Sequence, residues 1–108
     1  MSNVSDLQKR AIEIRQKYSE LNQKKGHNAW GAKDFAMGFA GDFGDLTKLV
    51  MAKENMRSID DVDTKLKHEL ADCLWSLLVL AEHYGVDLET EFSKTMEELD
   101  ARIAGAMK

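Results

Sequence analysis

Four carboxylates in this chain stand where carboxylates are expensive. Asp42 and Asp45 lie inside the run FAMGFAGDFGDLTKLVM, and Glu69 and Asp72 open the run ELADCLWSLLVLA. Each pair has a spacing of three, so on a helix both of its acids project from one side. Ionised carboxylates in apolar surroundings need a cation, and few basic residues fall within either run. A hard divalent ion resolves the conflict. Mg²⁺, with Mn²⁺ as a substitute, takes oxygen ligands and usually shares its shell with water and substrate phosphates. One acid pair alone reads as a solvated helix face. Two pairs, both in segments too apolar for a surface, favour a metal role. The iron and manganese bundle sites built from inward-facing acids use Glu-x-x-His motifs. Here His68 precedes Glu69 and His83 follows Glu82, which argues against a ferritin-like centre.

Four helices are expected to carry these groups. The first runs from about Asp6 to Gln23, with Leu7, Ala11, Ile14, Tyr18 and Leu21 on one stripe that predicts a single buried seam. Lys24 to Lys33 (KKGHNAWGAK) reads as a loop. The second helix is expected from Asp34, a plausible N-cap, to about Lys53. The third covers about Val62 to Tyr84 and is followed by Gly85, where helices commonly end in a left-handed residue. Asp87 caps a fourth, Leu88 to about Ala104, striped by Phe92, Met96, Leu99, Ile103 and Ala106. Helices one and four are amphipathic. Helices two and three are apolar on nearly every side, as in the middle of a bundle. Gly38, Gly41 and Gly44 recur along helix two, each costing about 1 kcal/mol relative to Ala. They signal close helix packing or room for a ligand, and spacing does not separate the two.

The composition agrees with an all-α, four-helix bundle-like fold. Proline is absent from the 108 residues, and helix formers outnumber β-branched residues. That length leads us to expect one domain over 1–108, completed by homo-oligomerisation because four short helices can hardly cover two that are apolar all round. A net charge of −4 lacks the basic footprint of a nucleic-acid binder. The longest apolar stretch is too short to span a bilayer, and the N-terminus has no signal-like apolar region. We therefore expect a cytoplasmic protein without a membrane or nucleic-acid partner. The single cysteine, Cys73, reads as a small core residue, and the methionines as core filling.

The runs GFAGDFGDLTKLVMAKE and KHELADCLWSLLVLAEHYGVDLE resemble the MazG-like nucleoside triphosphate pyrophosphohydrolases, of the all-α NTP pyrophosphatase superfamily. The resemblance extends from about Trp30 to Ile103. It implies Mg²⁺-dependent hydrolysis of a nucleoside triphosphate to monophosphate and pyrophosphate, with house-cleaning of unwanted nucleotides as the role. It also implies a homodimer or homotetramer. Carried onto this chain, the metal ligands are Asp42, Asp45, Glu69 and Asp72. A carboxylate of that set, Asp45 by preference or Glu69, would be the general base for an attacking water.

Two features depart from the family pattern. The first pair is commonly Glu-x-x-Glu, and here each side chain is one methylene shorter. Relatives often hold the phosphates with Lys, Asn or Arg on the last helix. Here that helix offers Lys94 and Arg102 among Glu97, Glu98 and Asp100, and Lys53 is a further candidate. Trp30 stands where similar enzymes place an aromatic beside the base, and stacking suits an indole. The plainer role for Trp30 is to anchor the loop to helix one. His27 and Asn28 could read base edges or simply face water, and Trp75 reads as core or subunit interface. Two alternatives remain: a phosphoribosyl-ATP pyrophosphatase-like enzyme, which would favour more basic residues near the site, and a non-catalytic helical interaction module.

Overall fold

Each helix starts and stops on side chains suited to that position. In the computed structural model, which describes residues 3–108, the chain forms α1 (Val4–Lys24), α2 (Ala32–Lys53), α3 (Val62–His83) and α4 (Leu88–Ala106). No strand occurs among the described residues. Asn3 accepts from the Asp6 amide at 2.9 Å while Asp6 accepts from the Asn3 amide at 3.4 Å, a capping box for α1. Asp87 likewise accepts from the Thr90 amide to cap α4.

The expected start of α2 is corrected. The N-cap is Gly31, and Asp34 lies inside the first turn, where its carboxylate accepts from the Gly31 amide at 2.8 Å. Asp34 thus satisfies the free donor from three residues downstream. Asp61 precedes α3 in a left-handed conformation and makes no side-chain cap. At three C-termini the left-handed position falls on Gly26, Asn55 and Gly85, with φ of 78°, 62° and 68°. Each is followed by an amide bonding five residues back, as from Val86 to the Ala81 carbonyl at 2.8 Å. Paired with the shorter bond beside it, this is the Schellman arrangement.

α3 lies between α1 and α2, while α4 packs against α1. Ala11, Phe35, Leu78 and Val79 form the core where α1, α2 and α3 meet, with Trp75 packed against it. Two polar links fix α1 in place. The Trp75 indole donates to the Ala11 carbonyl at 3.1 Å. Gln8 is buried, donates to Glu82 and the Val86 carbonyl, and accepts from the Leu88 amide. This satisfies a buried amide fully enough to bolt α1 to the α3–α4 corner.

The coverage of apolar faces differs from the periodicity in two places. Of the α1 stripe only Ala11 is buried and Ile14 half-buried, whereas Leu7, Tyr18 and Leu21 are exposed. One neighbour crossing α1 covers part of the seam rather than its whole length. In α4 no residue is buried, because within one chain nothing lies above Phe92, Met96, Leu99 and Ile103. The radius of gyration is 17.2 Å, against about 13 Å for a closed domain of this length. No described helix is long and apolar enough to cross a membrane.

Candidate metal centre

α2 and α3 run antiparallel, and their contact line carries the acids. One carboxylate oxygen each from Asp42, Glu69 and Asp72 lies within 4.8 Å of the others, and all three side chains are half-buried. The Glu69 Oε2 atom is sealed from solvent without a hydrogen-bond partner. An unpaired buried carboxylate oxygen is costly, and its neighbours worsen the cost. Burial, then the charges of Asp42, Asp72 and Asp45, push the Glu69 carboxyl above its ordinary value. Burial, followed by Asp72 and Asp45, does the same to Asp42. His68 relieves part of this, with Nε2 3.1 Å from an Asp72 oxygen. Three converging hard oxygens with one left unpartnered fit a divalent cation in ligand type and charge. Burial, then Asp42, pushes the Cys73 thiol up, so it stays neutral beside the group and offers no thiolate.

Asp45 does not join the trio. A step of three residues turns a helix by about 300°, so the two acids of a pair diverge by about 60°. Both acids of α3 have a carboxylate oxygen in the trio; on α2 only Asp42 does. Asp45 is exposed and lines, with Glu69, an open pocket of about 410 Å³ at the α2 C-terminal end.

The remaining expected residues scatter. Lys53 is paired to Asp63 at 2.6 Å, and its hydrogen bond holds the Asp63 carboxyl below the usual range. Lys94 and Arg102 are exposed on α4 and line neither of the two pockets described here. Trp30 does anchor the loop. Its carbonyl accepts from Arg15 at 3.3 Å, and its ring meets Phe35 edge-on with centroids 5.4 Å apart. A Cβ on Gly38 would come within 3.2 Å of the Trp30 ring, so that glycine makes room for the indole. Gly41 and Gly44 face open space.

Trp30 also helps to wall a second pocket, of about 270 Å³, with Tyr18, Phe35, Trp75, Arg15 and Asn22 among its lining. Trp75 stacks edge-on against Phe35, and the Arg15 guanidinium lies 5.4 Å from the Phe35 ring centre. Sequence reasoning did not single out Phe35 and Trp75 as residues lining a pocket. The signal was present: Phe35 precedes Asp42 by seven residues and Trp75 follows Asp72 by three, so each shares a helix face with an acid.

A family model, the MazG nucleotide pyrophosphohydrolase domain, matches residues 49–104, more than half of the chain. The chain belongs to the MazG family. Its activity class is accordingly nucleotide pyrophosphohydrolase, a hydrolase of phosphoanhydride bonds. The match takes in Glu69 and Asp72 and begins after Asp42 and Asp45. No curated protein and no solved structure matches the chain.

Proposed function

We propose that this MazG domain hydrolyses nucleoside triphosphates to monophosphate and pyrophosphate, using Mg²⁺ (or Mn²⁺) held by Asp42, Glu69 and Asp72. The carrying observation is the sealed, unpartnered Glu69 oxygen inside a trio of converging carboxylates. A divalent ion bound there supplies charge neutralisation of the phosphates and a more acidic water. Asp45 stands beside the trio with an exposed carboxylate, free to take a proton from the attacking water as general base. The water oxygen bonds to the α-phosphorus as the α–β bridging bond breaks. Its electron pair leaves with pyrophosphate, and the water's proton passes to Asp45. The aromatic pocket suits the nucleobase, with Trp30 and Trp75 offering faces for stacking.

The assembly is read as a homo-oligomer of single-domain chains. Met37, Phe43 and Val50 on α2, Leu70, Leu74 and Leu77 on α3, and the α4 stripe are all exposed. Open space at Gly41 and Gly44 lets another backbone approach closely. A second copy covering these faces would make the helix bundle that one chain leaves open. A house-cleaning role in the cytoplasm accords with such an enzyme.

The test is turnover of canonical and modified ribo- and deoxyribonucleoside triphosphates with Mg²⁺, measuring monophosphate and pyrophosphate, beside Asp45→Asn and Glu69→Gln. Both variants are expected to lose about 10²-fold or more while keeping the helical content of the parent. A folded parent that turns over no nucleotide and binds no Mg²⁺ supports an interaction module instead.

A further inference from the structure

The aromatic pocket has two kinds of wall. Its rings come from the loop, α2 and α3, as Trp30, Phe35 and Trp75. Its other side is α1, which contributes Arg15, Tyr18, Ser19 and Asn22. Rings hold a base by its face, and every base has one, so stacking does not tell bases apart. Identity lies on the edge of the base, in its hydrogen-bond donors and acceptors. The groups able to read an edge come chiefly from α1.

Two of those four side chains are engaged elsewhere. Arg15 donates to the Trp30 carbonyl and lies over the Phe35 ring. Tyr18 sets its ring against Trp75, with centroids 5.8 Å apart. Ser19 and Asn22 are half-buried, three residues apart on α1, and neither side chain makes a hydrogen bond among the described residues. Both groups are ambivalent. A carboxamide carries a donor and an acceptor that exchange places when it flips, and a hydroxyl donates or accepts as its hydrogen rotates. A wall with a fixed donor or acceptor rejects a base that presents the wrong group, because a buried group is then left unpaired. This wall turns to suit. The family match, over residues 49–104, takes in Trp75 and begins after α1. Membership of the family therefore does not dictate what the α1 wall reads.

We propose that Asn22, with Ser19 beside it, is the specificity-determining residue of this pocket, and that it admits a base carrying either an amino or an oxo group at the same ring position. The substrate class is then nucleoside triphosphates whether or not the base has been deaminated: cytosine alongside uracil, adenine alongside hypoxanthine. The inference rests on the triphosphate reading above and adds to it which bases pass.

The experiment uses the full chain with Mg²⁺ and matched triphosphates whose base edges exchange donor for acceptor: cytidine with uridine, adenosine with inosine. For each pair kcat/KM is expressed as an amino-to-oxo ratio, in which a general effect of a substitution on charge or folding cancels. The parent ratio is expected to lie within about tenfold of one, since neither edge leaves a group unpaired. Asn22→Asp makes that position a fixed acceptor and is expected to shift the ratio roughly tenfold or more towards the amino-bearing base. Gln23→Glu, the same change on the next, exposed residue of α1, is expected to leave the ratio within about twofold, because it meets no base edge. A parent ratio outside that range, an unmoved ratio in Asn22→Asp, or an equal shift in Gln23→Glu overturns the proposal while the triphosphate reading stands. A shift seen in Asn28→Asp alone also overturns it and moves base reading to the loop. A folded parent that turns over no triphosphate overturns both.

Discussion

α3 and α4 are similar in length and both carry apolar residues at helical spacing, yet they end in opposite environments. α3 buries Cys73, Ser76, Leu78, Val79 and Ala81, and sets Glu69 and Asp72 where α2 covers them. α4 buries nothing, and Phe92 and Ile103 are more than half exposed. Periodicity states which face of a helix seeks burial. It does not state whether the cover comes from the same chain. The site follows the covered helix: the trio, both pockets and the unpartnered oxygen all lie on α3 and its neighbours.

The largest test of this contrast sets a buried ring against an exposed one. Phe35→Ala empties a core position that is 2% exposed and is expected to cost about 3–5 kcal/mol, seen as a large fall in Tm. Phe92→Ala is expected to change the stability of a single chain by under about 1 kcal/mol. An equal fall in both would place α4 within the same cooperative core. Next in size, Phe92→Asp with Ile103→Asp is expected to shift the protein from oligomer to monomer in sedimentation while the helical signal persists. An unmoved oligomer would remove α4 from the interface.

A smaller effect separates metal-free charge repulsion from ordinary packing. The Asp42 carboxyl is held above its usual value by burial and by Asp72 and Asp45. Without metal, that group favours the folded state at low pH, and this stabilisation is lost as pH rises through its raised value. Asp42→Asn is therefore expected to raise the metal-free Tm by a few degrees at pH 7. The gain should close as pH falls through the carboxylate range, where wild-type Asp42 becomes protonated. A gain independent of pH would point to packing instead. The smallest effect is local: Asp87→Ala removes the α4 cap and is expected to cost about 1 kcal/mol, read from thermal unfolding.

Much of the fold was legible because its signals are local. Gly85, Asp87 and the helical stripes act within a turn or two of chain, and the helix limits fall within about two residues of their expected places. Asp34 misled because an acid in the first turn and an acid at the N-cap both satisfy the same free amides. For the site, Glu69, Asp72 and Asp42 converge as their burial pattern suggested. Asp45 lies outside the trio; a three-residue step shares a face only to within about 60°, and chain order does not say which acid of a pair comes nearest the others. The aromatic pocket joins residues from α1, the loop, α2 and α3, so no single stretch of sequence advertised it. Lys53 pairs with Asp63, ten residues on, a contact that no local pattern around Lys53 signals.

The most direct test is divalent-ion binding by the trio, measured without substrate. Mg²⁺ or Mn²⁺ added to the parent chain at pH 7 is expected to raise Tm in a saturable way, as ligand binding to the folded state requires. Glu69→Gln should abolish that rise while folding normally in metal-free buffer. An equal Mg²⁺-dependent rise in both proteins, or none in the folded parent, would contradict the account.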